Sequence, residues 1–136
     1  MPIEPGLTHE ITLLVQPEHT AAAVSEKNAI ARLAPVLSTP YLVSLMETTA
    51  HLAIEPFLTP EQSGVGSMVN IRHMAATPVG MQVRIRAELV EVQGRRLLFK
   101  VEAWDEIEKI AECEHERYII NWDRFMEDVE KKRNST

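Results

Sequence analysis

The stretch Ser38 to His51 reads STPYLVSLMETTAH, and two of its side chains have chemistry to offer. Thr39 stands at the start of an expected helix. Glu47 interrupts a body otherwise suited to burial. Leu42, Leu45, Met46, Thr49 and Ala53 recur at helical spacing and form the main apolar face, while Ser44, Thr48, His51 and Glu55 line the opposite side. Glu47 falls at the margin, about 60° from Ser44 at roughly 100° per residue. Two readings stand: a solvated charge with His51 as its partner at i+4, or a carboxylate placed for acid–base work. His73 belongs to the alternating run Ser67 to Met74. The set Ser67, Val69, Ile71 and His73 carries the β-branched residues, so His73 faces the helix. It is either a satisfied core histidine or a base that titrates near neutrality. In Lys109 to Ile120 the row Glu112, Glu114 and Glu116 faces solvent, which turns His115 and Arg117 inward. They form either a polar pair that holds the last strand or, for Arg117, a contact to an anionic group. Cys113 reads as a small buried filler.

These residues need elements to position them. Leu7 to Val15 alternates as a first strand, closed by Pro17. Glu18 to Leu37 is alanine-rich and reads as a short helical turn or a cover segment. Ser38 and Thr39 are good N-caps and Pro40 suits a first turn, so a helix runs from there to about Ile54 and stops before Pro56. Phe57 to Gly66 is a turn-rich loop. Strands follow at Ser67 to Met74, Met81 to Val92, Arg95 to Trp104 and Lys109 to Ile120, joined by turns at Ala76–Gly80, Gln93–Gly94 and Asp105–Glu108. Trp122 to Lys132 is a terminal helix capped by Asn121. Strand, helix, then four hairpin-linked strands predict an α+β fold: an antiparallel five-stranded sheet covered on one face by one long helix. One helix covers only part of such a sheet, which favours a homodimer with edge strands paired across it.

The 136 residues have the size of a single domain, 1–136, and no repeat or linker divides them. A net charge of −6 with scattered Arg and Lys excludes a nucleic-acid backbone binder. The single cysteine makes no internal disulfide, and the five histidines lie far apart with no metal spacing. The N-terminus MPIEPGLTHE lacks a signal-peptide pattern, and no run approaches the roughly 20 apolar residues of a membrane span. A cytoplasmic location, with no membrane partner and no cofactor, is the expectation.

Three pieces in order, STPYLVSLME, GVGSMVNIRHMAATPVG and HERYII, resemble the fluoroacetyl-CoA thioesterase-like family of hot-dog-fold proteins. The resemblance spans about the central 60% of the chain, from Ser38 to Ile120. It implies a hot-dog fold, in which the sheet wraps a central helix, and hydrolysis of an acyl-CoA thioester. Thr39 precedes Glu47 by eight positions and His73 follows it by 26, the spacing of that family's catalytic threonine, glutamate and histidine. Gly66 matches the glycine whose backbone approaches the thioester, and Arg117 becomes a candidate contact for substrate, including a CoA phosphate. Arg72, Arg84, Arg86 and Arg95 are further candidates for phosphate. Cys113 departs from the pattern by standing where a glycine is expected, which bears on the size of the acyl group. Residues 28–37 carry no aromatic to shape a pocket for a tiny fluorinated acid, so the acyl group stays open.

Thioester hydrolysis needs a nucleophile and a stabilised oxyanion. A helix N-terminus offers N–H groups and the positive end of its dipole. Thr39 either binds the attacking water or attacks itself, His73 is the natural base, and Glu47 either orients the imidazole or acts as base or nucleophile. Eight helical residues rise about 12 Å, so Thr39 and Glu47 of one chain do not touch. Either Thr39 caps the helix with His73 bridging, or the set combines two protomers at a dimer interface. A non-catalytic acyl-CoA-binding module is the competing function. A hydratase lacks an evident aspartate–histidine arrangement.

Overall fold

The computed structural model describes residues 2–23 and 33–135. The elements are β1 (Thr8–Leu14), α1 (Thr39–Ile54), β2 (Gln62–His73), β3 (Gln82–Gln93), β4 (Arg96–Trp104), β5 (Lys109–Asn121) and α2 (Trp122–Arg133). The five strands form one sheet in the order β1-β3-β4-β5-β2, and every neighbouring pair is antiparallel. This is the expected hot-dog arrangement. The sheet curls around α1, which packs mainly on β3 and β1, and β1 and β2 are left as edges.

Alternation builds the core. On β3, Val83, Ile85, Ala87 and Leu89 are fully buried while Arg84 and the other alternate residues face outward. Leu97, Phe99, Val101 and Ala103 of β4 do the same, and Leu42, Met46, Ala50 and Ile54 of α1 close over them. Thr49 is buried in the same face because its hydroxyl donates to the Leu45 carbonyl at 2.7 Å, which satisfies it within the helix. The hairpin turn at Gly94 takes φ +60°, a conformation glycine adopts without strain. Asn121 caps α2 by accepting from the Arg124 N–H at 3.1 Å, as its position implied.

Two local expectations need correcting. The strand expected from Ser67 begins at Gln62, so Gly64 and Gly66 lie in β2 and not in a loop. Its glycines and serine are weak strand formers. Pairing with β5 from Gln62↔Asn121 onward satisfies the backbone and overrides that preference. The register with β5 then shifts by one between Gly66 and Met68, a β-bulge. The helix cap is also displaced. Ser38, not Thr39, is the N-cap, its hydroxyl accepting from the Tyr41 N–H at 3.2 Å, and Thr39 is the first helical residue. Of the stretch expected as a cover, Pro17–His19 forms a 3₁₀ turn, and Val36 and Leu37 are bridged to Pro78 and Thr20; residues 24–32 lie outside the described set. Among the described residues, no helix is long and apolar enough to cross a membrane.

Leu42 lies at the centre of the helix–sheet contact and is fully buried. Leu42→Ala is expected to lower stability by about 2–5 kcal/mol, read as a reduced denaturant midpoint at unchanged slope.

Candidate functional site

The candidate residues fall into two groups. The first sits where α1 begins beside the end of β2. Because Ser38 does the capping, the Thr39 hydroxyl is free to turn to His73, and Oγ1 lies 2.8 Å from Nδ1. The other ring nitrogen, Nε2, is buried with no hydrogen-bond partner among the described residues. Burial lowers the His73 pKa below the ordinary histidine value, with the Ala75 backbone opposing. The imidazole is therefore neutral at pH 7 and able to accept a proton. The pair opens onto a hollow of about 280 Å³ lined, among the described residues, by Ala21, Val36, Leu37, Met74 and Ala75 with no Phe, Tyr or Trp.

The helix end is a poorer oxyanion site than expected. Pro40 has no N–H, Ser38 takes that of Tyr41, and the Leu42 N–H bonds to the Ser38 carbonyl. Among these first residues, only the Thr39 N–H is left to meet a substrate oxygen.

The second group lies further along α1, against β2 and β5. The Glu47 Oε2 is 3.6 Å from Arg117 Nη1. His51 does not pair with Glu47; it lies 3.7 Å from Glu55 instead, so the expected i+4 partnership fails. Arg117 is only 7% exposed, which demands partners for its charge. Its Nη2 donates to the Gly64 carbonyl at 3.0 Å, and its Nη1 lies 3.3 Å from His115 Nε2. Its Nε is buried and has no partner among the described residues, as is the case for the Nδ1 of His51.

Both glycines of β2 make room here. A Cβ on Gly66 would stand 3.1 Å from Glu47 Oε2 and 3.4 Å from the His115 ring. One on Gly64 would meet His51 Nδ1 at 3.4 Å and Arg117 Nε at 3.6 Å. The resulting hollow, about 570 Å³, is lined by Pro40, Ser44, Glu47, His51, Gly64 and Arg117 among others.

Thr39 and His73 are thus brought together, as are Glu47, Gly66 and Arg117. No hydrogen bond or ion pair joins the two groups among the described residues. Gly64 and the unpartnered His51 nitrogen went unnoticed in the sequence, where the repeat Gly64-x-Gly66 on an inward strand face was the available signal. The inward direction of His115 and Arg117 was read correctly. Cys113 is buried as expected, and its thiol is pushed up to about 11 by burial, which removes it as a nucleophile at neutral pH. Of the arginines considered for phosphate, Arg84 is engaged by Glu10 at 2.9 Å and lies 4.3 Å over the Trp104 ring. Arg86 is 3.5 Å from Glu88. Arg72 and Arg95 make no ion pair among the described residues.

Two outcomes are expected. His73 and His115 both have pKa values lowered by burial. Each binds fewer protons folded than unfolded as pH falls, so stability is full above about 6.5 and declines below it. A series of denaturant midpoints from pH 8 to pH 5 measures this. Gly66→Ala pushes the Glu47 carboxylate aside, and a shift of that size is expected to reduce turnover by roughly 10- to 100-fold while the melting temperature changes little.

The model of the family described as FlK, fluoroacetyl-CoA-specific thioesterase, matches residues 15–123. The fluoroacetyl-CoA thioesterase of Streptantibioticus cattleyicolor is 35% identical over 126 residues, covering 92% of this chain and 89% of that protein. A crystal structure of an FlK variant in complex with fluoroacetate and CoA superposes with a TM-score of 0.82 at 32% identity, covering 90% of this chain and 99% of the other. A Thermus thermophilus member of the thioesterase superfamily gives a TM-score of 0.88 at 28% identity, with 98% and 95% covered. Family model, identity and fold agree along nearly the whole chain: it belongs to the FlK thioesterase family and is an acyl-CoA thioesterase.

Proposed function

We propose that this enzyme hydrolyses a short acyl-CoA through a composite site, with Thr39 and His73 of one protomer and the partner subunit's Glu47. The observation that carries the proposal is the 2.8 Å contact between Thr39 Oγ1 and His73 Nδ1 beside a buried, unpartnered Nε2. A neutral imidazole accepts the threonine proton at Nδ1, or that of a water held by the hydroxyl, as attack on the thioester carbonyl begins. Nε2 then needs a carboxylate to stabilise the developing imidazolium. Glu47 of the same chain is two turns of helix away and engaged in a different hollow, so a second copy supplies it. β2 is an edge strand, open to pairing with the β2 of a second copy. Gly66 lets the thioester approach the carboxylate, and Arg117 contacts the substrate or its product acid.

The resulting homodimer acts on an acyl-CoA, needs no metal or other cofactor, and belongs in the cytoplasm. Fluoroacetyl-CoA, the substrate of the Streptantibioticus cattleyicolor relative, heads the substrates to test. The hollow beside His73 is lined by alanines, valine, leucine and methionine, so acetyl-, propionyl- and butyryl-CoA belong beside it.

Free-thiol release across that panel is expected to fall by about 10²- to 10⁴-fold in Glu47→Gln, His73→Ala and Thr39→Ala, each remaining folded. Mixing Glu47→Gln with His73→Ala chains is expected to restore about a quarter of the activity, because half the dimers then hold one intact composite site. No restoration in demonstrated mixed dimers places all three residues in one chain. Tight acyl-CoA binding with no thiol release by the unaltered protein makes the chain a binding module instead.

A further inference from the structure

The mechanism leaves the buried imidazole of His115 unused. His115 is fully buried on β5, and both of its nitrogens are engaged. Nδ1 lies 2.8 Å from the Met68 carbonyl, which can only accept, so Nδ1 carries the proton. Nε2 is then a lone pair, and it faces Arg117 Nη1 at 3.3 Å. Met68 stands at the β-bulge of β2, where the ladder with β5 slips by one residue. A bulge re-aims the backbone beside it, and here the Met68 carbonyl meets an imidazole.

We propose that His115 is a positioning residue: the Met68 carbonyl locks it as the Nδ1–H tautomer, and its Nε2 lone pair aims Arg117 at Glu47. Were the proton on Nε2, two N–H groups would face each other, and Arg117 would lose an acceptor it cannot replace from solvent. The groups facing the ring are the Met68 carbonyl from β2, Arg117 from its own strand, Glu47 from α1 and the uncharged Phe99 ring of β4, its centroid 6.3 Å away. Burial and the Arg117 charge disfavour the imidazolium, while the Met68 carbonyl and Glu47 oppose them. Arg117 is then held on two sides, by His115 and the Gly64 carbonyl, and its remaining reach is toward the carboxylate and the substrate hollow.

The inference rests on Glu47 being the working carboxylate, and its tests separate the two. Nitrogen-15 NMR of the His115 ring in the unaltered protein reads the tautomer without any activity. The expected result is a neutral ring at pH 7 to pH 8, protonated at Nδ1 alone. A proton on Nε2, or an imidazolium at pH 7, overturns the proposal. In kinetics, His115→Leu removes the acceptor, and kcat is expected to fall about tenfold or more at nearly constant KM, whereas His115→Gln, whose amide oxygen can accept from Arg117, stays within roughly threefold. Equal losses in the two variants, or no loss in His115→Leu, count against it. If His115→Leu does not fold, the NMR measurement decides. Full activity in Glu47→Gln would sink the catalytic reading while leaving the tautomer result standing.

Discussion

A guanidinium cannot be taken out of water without partners, and Arg117 has been taken almost wholly out. Much of the second hollow follows from that requirement. Gly64 offers a carbonyl and no side chain. Gly66 leaves space for the Glu47 carboxylate to come near. His115 gives a lone pair where a protonated nitrogen would repel. Glu47 sits at the margin of its helix for the same reason: one turn inward it would lose water without gaining a second cation, and one turn outward it would leave Arg117 unneutralised. The buried cation orders both strands and the middle of the helix around it.

Thr39 and His73 answer to a different constraint, the geometry of a helix start. Ser38 takes the capping role, and the adjacent threonine is released to face a strand end. The same capping leaves little N–H capacity at this end of α1. What this end of α1 can offer an oxyanion is the Thr39 N–H and the helix dipole. The two hollows meet α1 side by side, one bordered by Thr39 and the other beginning at Pro40.

Much of this fold was legible from local signals. The run Ser38-Thr39-Pro40 marked the start of α1, Gln93-Gly94 a hairpin and Asn121 the cap of α2, because caps and turns are written within three or four residues. The inward face of β5 followed from alternation. The start of β2 was not legible, since glycine and serine signal a turn unless pairing with a distant strand outweighs them. The pairing of Glu47 with Arg117 was hidden for the same reason: 70 positions of chain separate them, and the nearer His51 was the obvious partner. The choice of Ser38 over Thr39 as cap turned on a shift of one residue, below what residue preferences resolve. The grouping of Thr39, Glu47 and His73 came from resemblance, because no periodicity connects a helix start, a helix middle and a strand end.

The bulge in β2 carries a consequence for how this chain can change over generations. Gly64 and Gly66 have even numbers and Val69, Ile71 and His73 odd ones, yet all face the helix, because the register slips between Gly66 and Met68. The strand thus carries a phase shift, and the extra residue is its bookmark. Loss of one residue there would swing either the glycines or His73 to the outer face and erase one hollow. Insertions and deletions in this strand are therefore tolerable only in pairs or at its ends. The distance from Gly66 to His73 should be among the most rigid intervals in the lineage, even where the residues between them drift.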